Sequence, residues 1–407
     1  MRAALERRGA AERLDDLTAL DVRAREVRGR VEALRSERSK LSKEIGHARG
    51  QGQDTAEAEA RARAMGDELS GLEEELRGAE EHRDELLGTL PNLAEDEAPD
   101  GGEDDAVELR RVGDPPDFGF EPRDHLDLAV SAGALDMEQA ARVSGARFAY
   151  LLGPLVRLQL ALVNFTVTLL EGEGFTPVVP PVLVREEAMW GTGFFPTDRQ
   201  SIYETTQDGL FLAGTSEVPL AGLHVDQILD EESLPLRYAG LSTCFRREAG
   251  AAGRDTRGIF RVHQFDKVEM FAFVAPESSH EEHQRLLALE ERILTTLEIP
   301  YRVVDIPVGD LGASAARKFD IEAWMPGQGA YREVTSCSNC TDYQARRLKT
   351  RLRRDKRAQP VHTLNGTACA VGRTIVALLE NGQREDGTVR LPQALIEFGA
   401  PPEIAPA

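Results

Sequence analysis

Cysteine is scarce, with four in 407 residues: Cys244, Cys337, Cys340 and Cys369. Scattered apart from one C-x-x-C, they cannot build the disulfide framework of a small secreted domain, which points to a reducing compartment, the cytoplasm. A structural zinc site is not expected either, because Cys337 and Cys340 have no second pair at matching spacing. No apolar run approaches the roughly 20 residues that span a bilayer, so no membrane partner is expected. The N-terminus, Met1-Arg2-Ala3-Ala4-Leu5, is charged from the start and lacks the apolar stretch of a signal peptide. Positive charge is in deficit: 49 Lys and Arg against 70 Asp and Glu leave a formal net charge of −21. That excludes a protein that coats nucleic acid indiscriminately. It does not exclude a local basic surface, since steering depends on the potential near the contact. Neither G-x-G-x-x-G nor a P-loop opens a helix, so both common nucleotide signatures are missing.

What is present begins with a heptad. Leu20, Ala24, Val27, Val31, Leu34, Arg38, Leu41 and Ile45 alternate spacings of four and three. After the polar stretch Gly50-Gln51-Gly52-Gln53 the pattern resumes with Ala58, Ala62, Met65, Leu69, Leu72, Leu76, Ala79, Arg83, Leu86 and Leu90. A period of 3.5 lets two helices wind around each other, and the short polar turn makes them an antiparallel α-helical coiled-coil hairpin. Charge is divided between the two. Val22 to Arg49 carries nine Arg or Lys against four acids, and Gln51 to Leu90 twelve acids against four Arg. Two solvated, mutually attracting faces fit this, and so does a basic rail for a phosphate backbone; composition alone does not choose.

Pro91 ends the second helix. Residues 94–113 then read as an acidic linker between an arm (1–93) and a body (114–407). Within the body, amphipathic helices near Leu151–Glu171, Glu277–Leu297 and Gly372–Asn381 alternate irregularly with strands. Strands are expected near Thr176–Val179, Leu210–Leu212, Val262–Phe273, Tyr301–Val304 and Phe319–Trp324. Strands arriving in runs, without regular βαβ repeats, give an α+β class on a mainly antiparallel sheet. The basic run 346–357 has the period of a helix with one basic face.

Three segments carry chemistry. Cys244 to Phe265 packs five arginines (Arg246, Arg247, Arg254, Arg257, Arg261) and several glycines between two strand-like stretches. Glycine permits close backbone approach and arginine offers bidentate donors to phosphate, so a strand, loop and returning strand would make a nucleotide clamp. The segment Glu333-Val334-Thr335-Ser336 brings carboxylate and hydroxyl oxygens of the kind that hold the magnesium accompanying ATP. Finally, Leu364 to Val376 runs from a small-residue turn into an apolar helix with Arg373 in its first turn, a place that favours anions.

Over nearly its whole length the chain resembles the seryl-tRNA synthetases, which are class II aminoacyl-tRNA synthetases. Motif 1 of the class corresponds to the helix Leu151–Glu171 with the strand running to Pro180. Motif 2 corresponds to Thr243–Phe265 with Arg246 and Glu248, and motif 3 to Ala370–Glu380 with Arg373. The family's T-x-E element stands as Thr215-Ser216-Glu217, with Ser216 where the family usually has Ala, and His263–Phe271 reads HQFDKVEMF. The chain starts without the family's usual I-D-x-x-x-L-R segment, which leaves the base of the arm open to a different packing.

The resemblance implies a catalytic domain built on an antiparallel sheet flanked by helices, and a homodimer through motif 1. It also implies an arm that lies along tRNA(Ser), and tRNA(Sec) where present. ATP would be the co-substrate, with Mg2+ at Glu333 and Ser336. Arg246 would contact the α-phosphate and Arg373 the terminal phosphates. Arg247, Glu248 and the segment Glu333, Val334, Thr335 and Ser336 would hold the nucleotide, and Phe265 would stack on adenine. Thr215, Ser216, Glu217, Glu269 and Thr367 would hold serine. His263 reads as structural, not as a general base. Attack of a carboxylate on phosphorus needs positioning and charge neutralisation more than a protein nucleophile, which suits arginines and a metal site. Two alternatives remain: a relative that passes an amino acid to a carrier protein, which has little use for an arm, and a purely structural coiled coil, which has no use for the motifs.

Overall fold

The structure, a computed structural model, describes residues 1–249, 255 and 257–407. The arginine and glycine loop members at 250–254 and 256, among them Gly250, Gly253 and Arg254, lie outside the described residues. Backbone contacts divide the chain into two units, Met1–Leu90 and Pro91–Ala407.

The first unit holds the expected hairpin. After a short helix at Arg2–Arg7 come α1 (Ala11–Gly50) and α2 (Ala56–Thr89). Ala24, Val27 and Val31 of α1 and Met65, Leu69 and Leu72 of α2 are buried along the seam, flanked by Leu34 and Leu76. Gly52, at φ +72°, supplies the left-handed turn that reverses the chain. Many α1 arginines are spent between the helices. Arg23 pairs with Glu75, Arg28 with Glu80 and Arg49 with Glu59, while Arg35 meets Glu73 at 2.7 Å. Arg25 turns to Asp21 on its own helix. Among the described residues Arg30, Arg38, Lys40 and Lys43 are exposed and have no acidic partner within 4 Å. Mutual attraction and a basic surface therefore coexist, on different residues.

The second unit is built on an eight-stranded sheet. Its strands are β1 (Val107–Val112), β2 (Thr176–Val178), β3 (Leu236–Phe245), β4 (Gln264–Val274), β5 (Tyr301–Asp305), β6 (Arg317–Met325), β7 (Ala330–Thr341) and β8 (His362–Ala370). They lie in the order β1-β5-β6-β7-β8-β4-β3-β2, antiparallel except for the β2–β3 pair. The helices that matter below are α3 (Pro154–Gly172), α4 (Glu217–Ala221), α5 (Ser279–Thr296), α6 (Tyr343–Leu348) and α7 (Val371–Asn381). The class is α+β, as the strand pattern indicates. One sheet face carries Val268, Met270, Cys337 and Cys369 into a core shared with Leu158 and Leu162 of α3, Leu286 and Ile293 of α5 and Ile375 and Leu379 of α7. Gly240 lets α4 close onto β3, since a Cβ there would stand 2.7 Å from Leu220.

Two expectations need correction. Residues 94–113 are no free tether: Ala94 and Ala98 are buried against Val304, Ile306 and Leu311, and Val107–Val112 is the edge strand of the sheet. The Asp/Glu-rich composition hid the two alanines and the alternating valines that dock this stretch. The basic run 346–357 is not one helix. Lys349, at φ +56°, closes α6, and Arg351–Arg354 and Arg357–Pro360 form a hairpin in a small sheet, with Leu352 fully buried. Helix α3 has the length and mean hydropathy of a membrane span, but Arg157, Gln159 and Asn164 interrupt its apolar run. Leu155, Leu158, Ala161 and Leu162 bury one side of it in the core, while Val156 and Leu160 remain exposed.

His283 of α5 lies buried beneath the sheet, with its Nε2 3.1 Å from the Cys337 carbonyl and its ring 4.8 Å from that of Phe319. Burial pulls its protonation down to about 4. Such a group favours the folded state above the unfolded value near 6.5 and withdraws that contribution as pH falls towards 4. A loss of roughly 3 kcal/mol is expected in the acid limit. Denaturant melts of wild type and His283→Gln at neutral and acid pH measure it: the variant should lose less stability on acidification, and identical losses would contradict the assignment.

Candidate active site

Strand alternation sends every second side chain of the central strands into one open cavity. Phe265, Lys267 and Glu269 enter it from β4, Asn365 and Thr367 from β8, and Ser336 and Ser338 from β7. Register places Glu269 opposite Thr367, and the Thr367 hydroxyl lies 3.4 Å from Glu269 Oε2. The start of α4 adds Thr215 and Glu217, the end of β3 adds Arg246 and Glu248, and the first turn of α7 adds Arg373.

The two distant arginine segments thus meet in a single space. Arg373 donates to the Glu333 carbonyl at 2.9 Å and stands 3.3 Å from that residue's carboxylate. Arg261 holds Glu248 at 2.6 Å. Arg246 differs: its guanidinium lies 5.2 Å from the centre of the Phe265 ring and its Nε donates to the Gly214 carbonyl at 3.2 Å. Among the described residues no carboxylate lies within ion-pair distance of Arg246, which leaves it the uncommitted arginine of the cavity. His263 is 2.9 Å from the Arg246 carbonyl through Nδ1 and does not line the cavity.

The electrostatics are graded. Burial works against the charge of Glu333, but Arg373 first, then Lys318, Arg246 and Arg261, hold its carboxyl well below the usual range. At Glu217 the balance reverses. Burial, reinforced by Glu269, raises Glu217 to about 7. Lys267 is ion-paired with Glu269. Lys318 faces the cavity 3.0 Å from Asp320, which, against the effect of burial, raises its affinity for a proton.

Not every expected residue points inward. Thr335 faces the other side of the sheet, where its hydroxyl donates to Glu290 of α5 at 2.9 Å. Ser216 turns its hydroxyl to Ser242, 2.9 Å away, and to the Gly240 carbonyl. The Arg247 side chain is exposed and outside the cavity, its backbone N–H donating to the Ser201 carbonyl. In all three cases the residue belongs to a contiguous stretch of which the backbone shows the cavity only some members. The reverse holds for Lys267, Lys318, Asn365 and Ser338, which line the cavity although the sequence assigns them no role. Spacing of two from Phe265 and Glu269 marks Lys267, and spacing of two from Thr367 marks Asn365.

Two family models match the chain: the seryl-tRNA synthetase N-terminal domain over residues 1–94, and the core domain of class II tRNA synthetases (G, H, P, S and T) over residues 201–382. A serine–tRNA ligase of Streptomyces coelicolor is 52% identical, over 94% of this chain and 90% of its own length. This chain belongs to the seryl-tRNA synthetase family. A second family member, from Thermobifida fusca, is 50% identical over 98% of the chain and 94% of its own length. Among solved structures, the seryl-tRNA synthetase of Pyrococcus horikoshii complexed with ATP superposes with a TM-score of 0.92 at 44% identity, covering 100% of this chain and 97% of that one. The cytoplasmic serine–tRNA ligase of Naegleria fowleri in complex with AMP gives 0.87 at 34% identity, covering 99% and 94%.

Proposed function

We propose that the chain is a serine–tRNA ligase that activates L-serine with ATP and transfers the seryl group to the 3′ end of tRNA(Ser), and of tRNA(Sec) where that is present. The observation that carries this reading is the pairing, within one cavity, of an uncommitted Arg246 with a carboxylate and hydroxyl pocket made by Thr215, Glu217, Glu269 and Thr367. One end suits phosphate and the other suits an ammonium and a hydroxyl.

In the first step a carboxylate oxygen of serine bonds to the α-phosphorus, the bond to the bridging oxygen breaks, and pyrophosphate leaves. Arg246 takes the α-phosphate, Arg373 the terminal phosphates, and Phe265 the adenine face, with Glu248 and the Glu333–Ser336 segment shaping the nucleotide end. In the second step the terminal ribose hydroxyl bonds to the seryl carbonyl carbon, AMP leaves, and the hydroxyl proton passes to solvent. Glu333 and Ser336 suit Mg2+: a carboxylate held ionised and a hydroxyl open to the same cavity. Mg2+ commonly takes one or two protein carboxylates and fills its shell with phosphate oxygens and water. When bound it would neutralise phosphate charge there.

The cation-bearing arm is the tRNA contact in this reading, since double-stranded RNA is recognised through shape and backbone. Exposed Tyr150, Leu152, Val156, Leu160 and Val179 on and around α3 and β2 support a homodimer through that face. Four buried, unpaired cysteines suit the cytoplasm.

Pyrophosphate exchange with purified protein and a panel of amino acids tests the substrate assignment. L-Serine should support exchange, while alanine, which leaves the hydroxyl acceptors unpaired, and glycine should not. Equal stimulation by alanine or glycine refutes it.

A further inference from the structure

The two carboxylates of the serine pocket are held differently. Glu269 is countered by Lys267. Glu217, 8% exposed, has no Lys or Arg within ion-pair distance among the described residues and is held by amides instead. Gln344 Nε2 donates to Glu217 Oε1 at 2.7 Å, and Asn365 Nδ2 donates to the same oxygen at 3.0 Å. No hydrogen bond reaches Oε2 among the described residues. Gln344 itself is completely buried in α6, and its amide has a fixed sense. The Thr363 hydroxyl lies 2.8 Å from Gln344 Oε1, and the Thr192 carbonyl lies 3.4 Å from Nε2. A carbonyl can only accept, so the nitrogen must face Thr192 and Glu217, and the hydroxyl completes the oxygen side.

We propose that Gln344, locked by Thr363, is a positioning residue for amino-acid binding: it commits Oε1 of Glu217 to the protein and leaves Oε2 as the open acceptor for the substrate ammonium. This rests on the reading of Glu217 as a carboxylate of the serine pocket.

Two N–H donors on one oxygen favour the ionised carboxylate, the form an ammonium requires. Burial opposes them, and the charges around Glu217 divide. Glu269 of β4 disfavours ionisation, whereas Lys267 of β4 and Arg246 at the end of β3 favour it. Cys340 of β7 lies close by, its thiol kept neutral by burial and by Glu217. From α6 and β8 the groups facing Glu217 are the two neutral amides. With Gln344 removed, ionisation of Glu217 moves to higher pH. Serine affinity, which rises as that group loses its proton, must then rise at higher pH too.

Serine-dependent pyrophosphate exchange by the full-length enzyme, followed across neutral pH, tests this with Gln344→Leu, Thr363→Val and Thr363→Ser. For Gln344→Leu we expect KM for serine to increase about tenfold near neutrality, and its pH dependence to move up by about one unit. KM for ATP should not change. Thr363→Val, which keeps the side-chain volume and carries the test should Gln344→Leu not fold, should act in the same direction but less. Thr363→Ser should match wild type. A KM increase without the pH displacement, or one shared equally by ATP, would indicate packing alone and overturn the proposal. Glu217→Gln separates the two readings: if it leaves KM for serine unchanged, the pocket assignment itself is wrong. If it abolishes serine binding while Gln344→Leu and Thr363→Val behave as wild type, only the positioning role falls.

Discussion

Arg246→Ala is expected to lower serine-dependent pyrophosphate exchange by about a thousandfold, the upper end of what one preorganised donor to developing charge contributes. The size follows from its surroundings. Arg261 and Arg373 already sit on Glu248 and Glu333, so part of their charge is answered within the protein. Arg246 instead is held at the cavity wall by the Gly214 carbonyl and the Phe265 face, two neutral partners that fix its direction without cancelling its charge. Nothing needs to break before it binds a phosphate. A charge that is strongest where the phosphorus becomes five-coordinate acts on the transition state more than on the ground state, so kcat should fall further than KM for ATP rises. KM for serine should move little. Thermal stability should also stay close to wild type, since the residue fills no core. Exchange within tenfold of wild type in a folded Arg246→Ala protein would remove the phosphate role from this residue.

How far the sequence leads can be judged from particular side chains. The heptad gave Val27, Val31, Leu69 and Leu72 their places, because a coiled coil is a local periodic object and its partner face has the same period. Arg246 and Arg373 were recognisable as anion-binding types, but only the sheet brings residues so far apart in the chain into one cavity. Where the sequence misled, direction was the missing variable. Thr335 is one residue from Ser336, yet the pleat turns it to Glu290 on the other side of the sheet. Gln344 was silent for a different reason. Its amide is an ordinary polar group until Thr363 and Glu217, from two other elements, fix which end faces which. The run 346–357 shows the limit of charge patterning. Its cations fit a helical face equally well, and the decision lay with Leu352, whose burial in the small sheet outweighs helical spacing.

Replacing Arg30, Arg38, Lys40 and Lys43 together by alanine is expected to reduce tRNA charging efficiency by roughly a hundredfold at low salt while leaving pyrophosphate exchange at wild-type level. The magnitude assumes about 0.7 kcal/mol for each exposed phosphate contact, within the range for solvent-exposed ion pairs. These four are selected by the structure, since the other α1 arginines are engaged: Arg23, Arg28, Arg35 and Arg49 with α2 carboxylates, Arg25 with Asp21, and Arg13 with the Thr89 carbonyl. Alanine is a strong helix former, and all four side chains are exposed, Arg38 included although it stands at a heptad position, so the hairpin should persist by circular dichroism. If each contacts a phosphate, the dependence of tRNA affinity on salt should flatten by about one unit of log–log slope per residue removed. A companion variant, Arg23→Ala with Arg28→Ala and Arg35→Ala, should loosen the hairpin and lower its melting temperature with a smaller effect on the salt slope. Should the first variant charge tRNA normally and the second fail, the cations would be serving helix pairing alone and the RNA surface would lie elsewhere. The opposite order of effects assigns the rail to the four unpaired residues. In a chain of net charge −21 the attraction to RNA must be local, and a surface set apart from the interhelical pairs is how an acidic protein can present it.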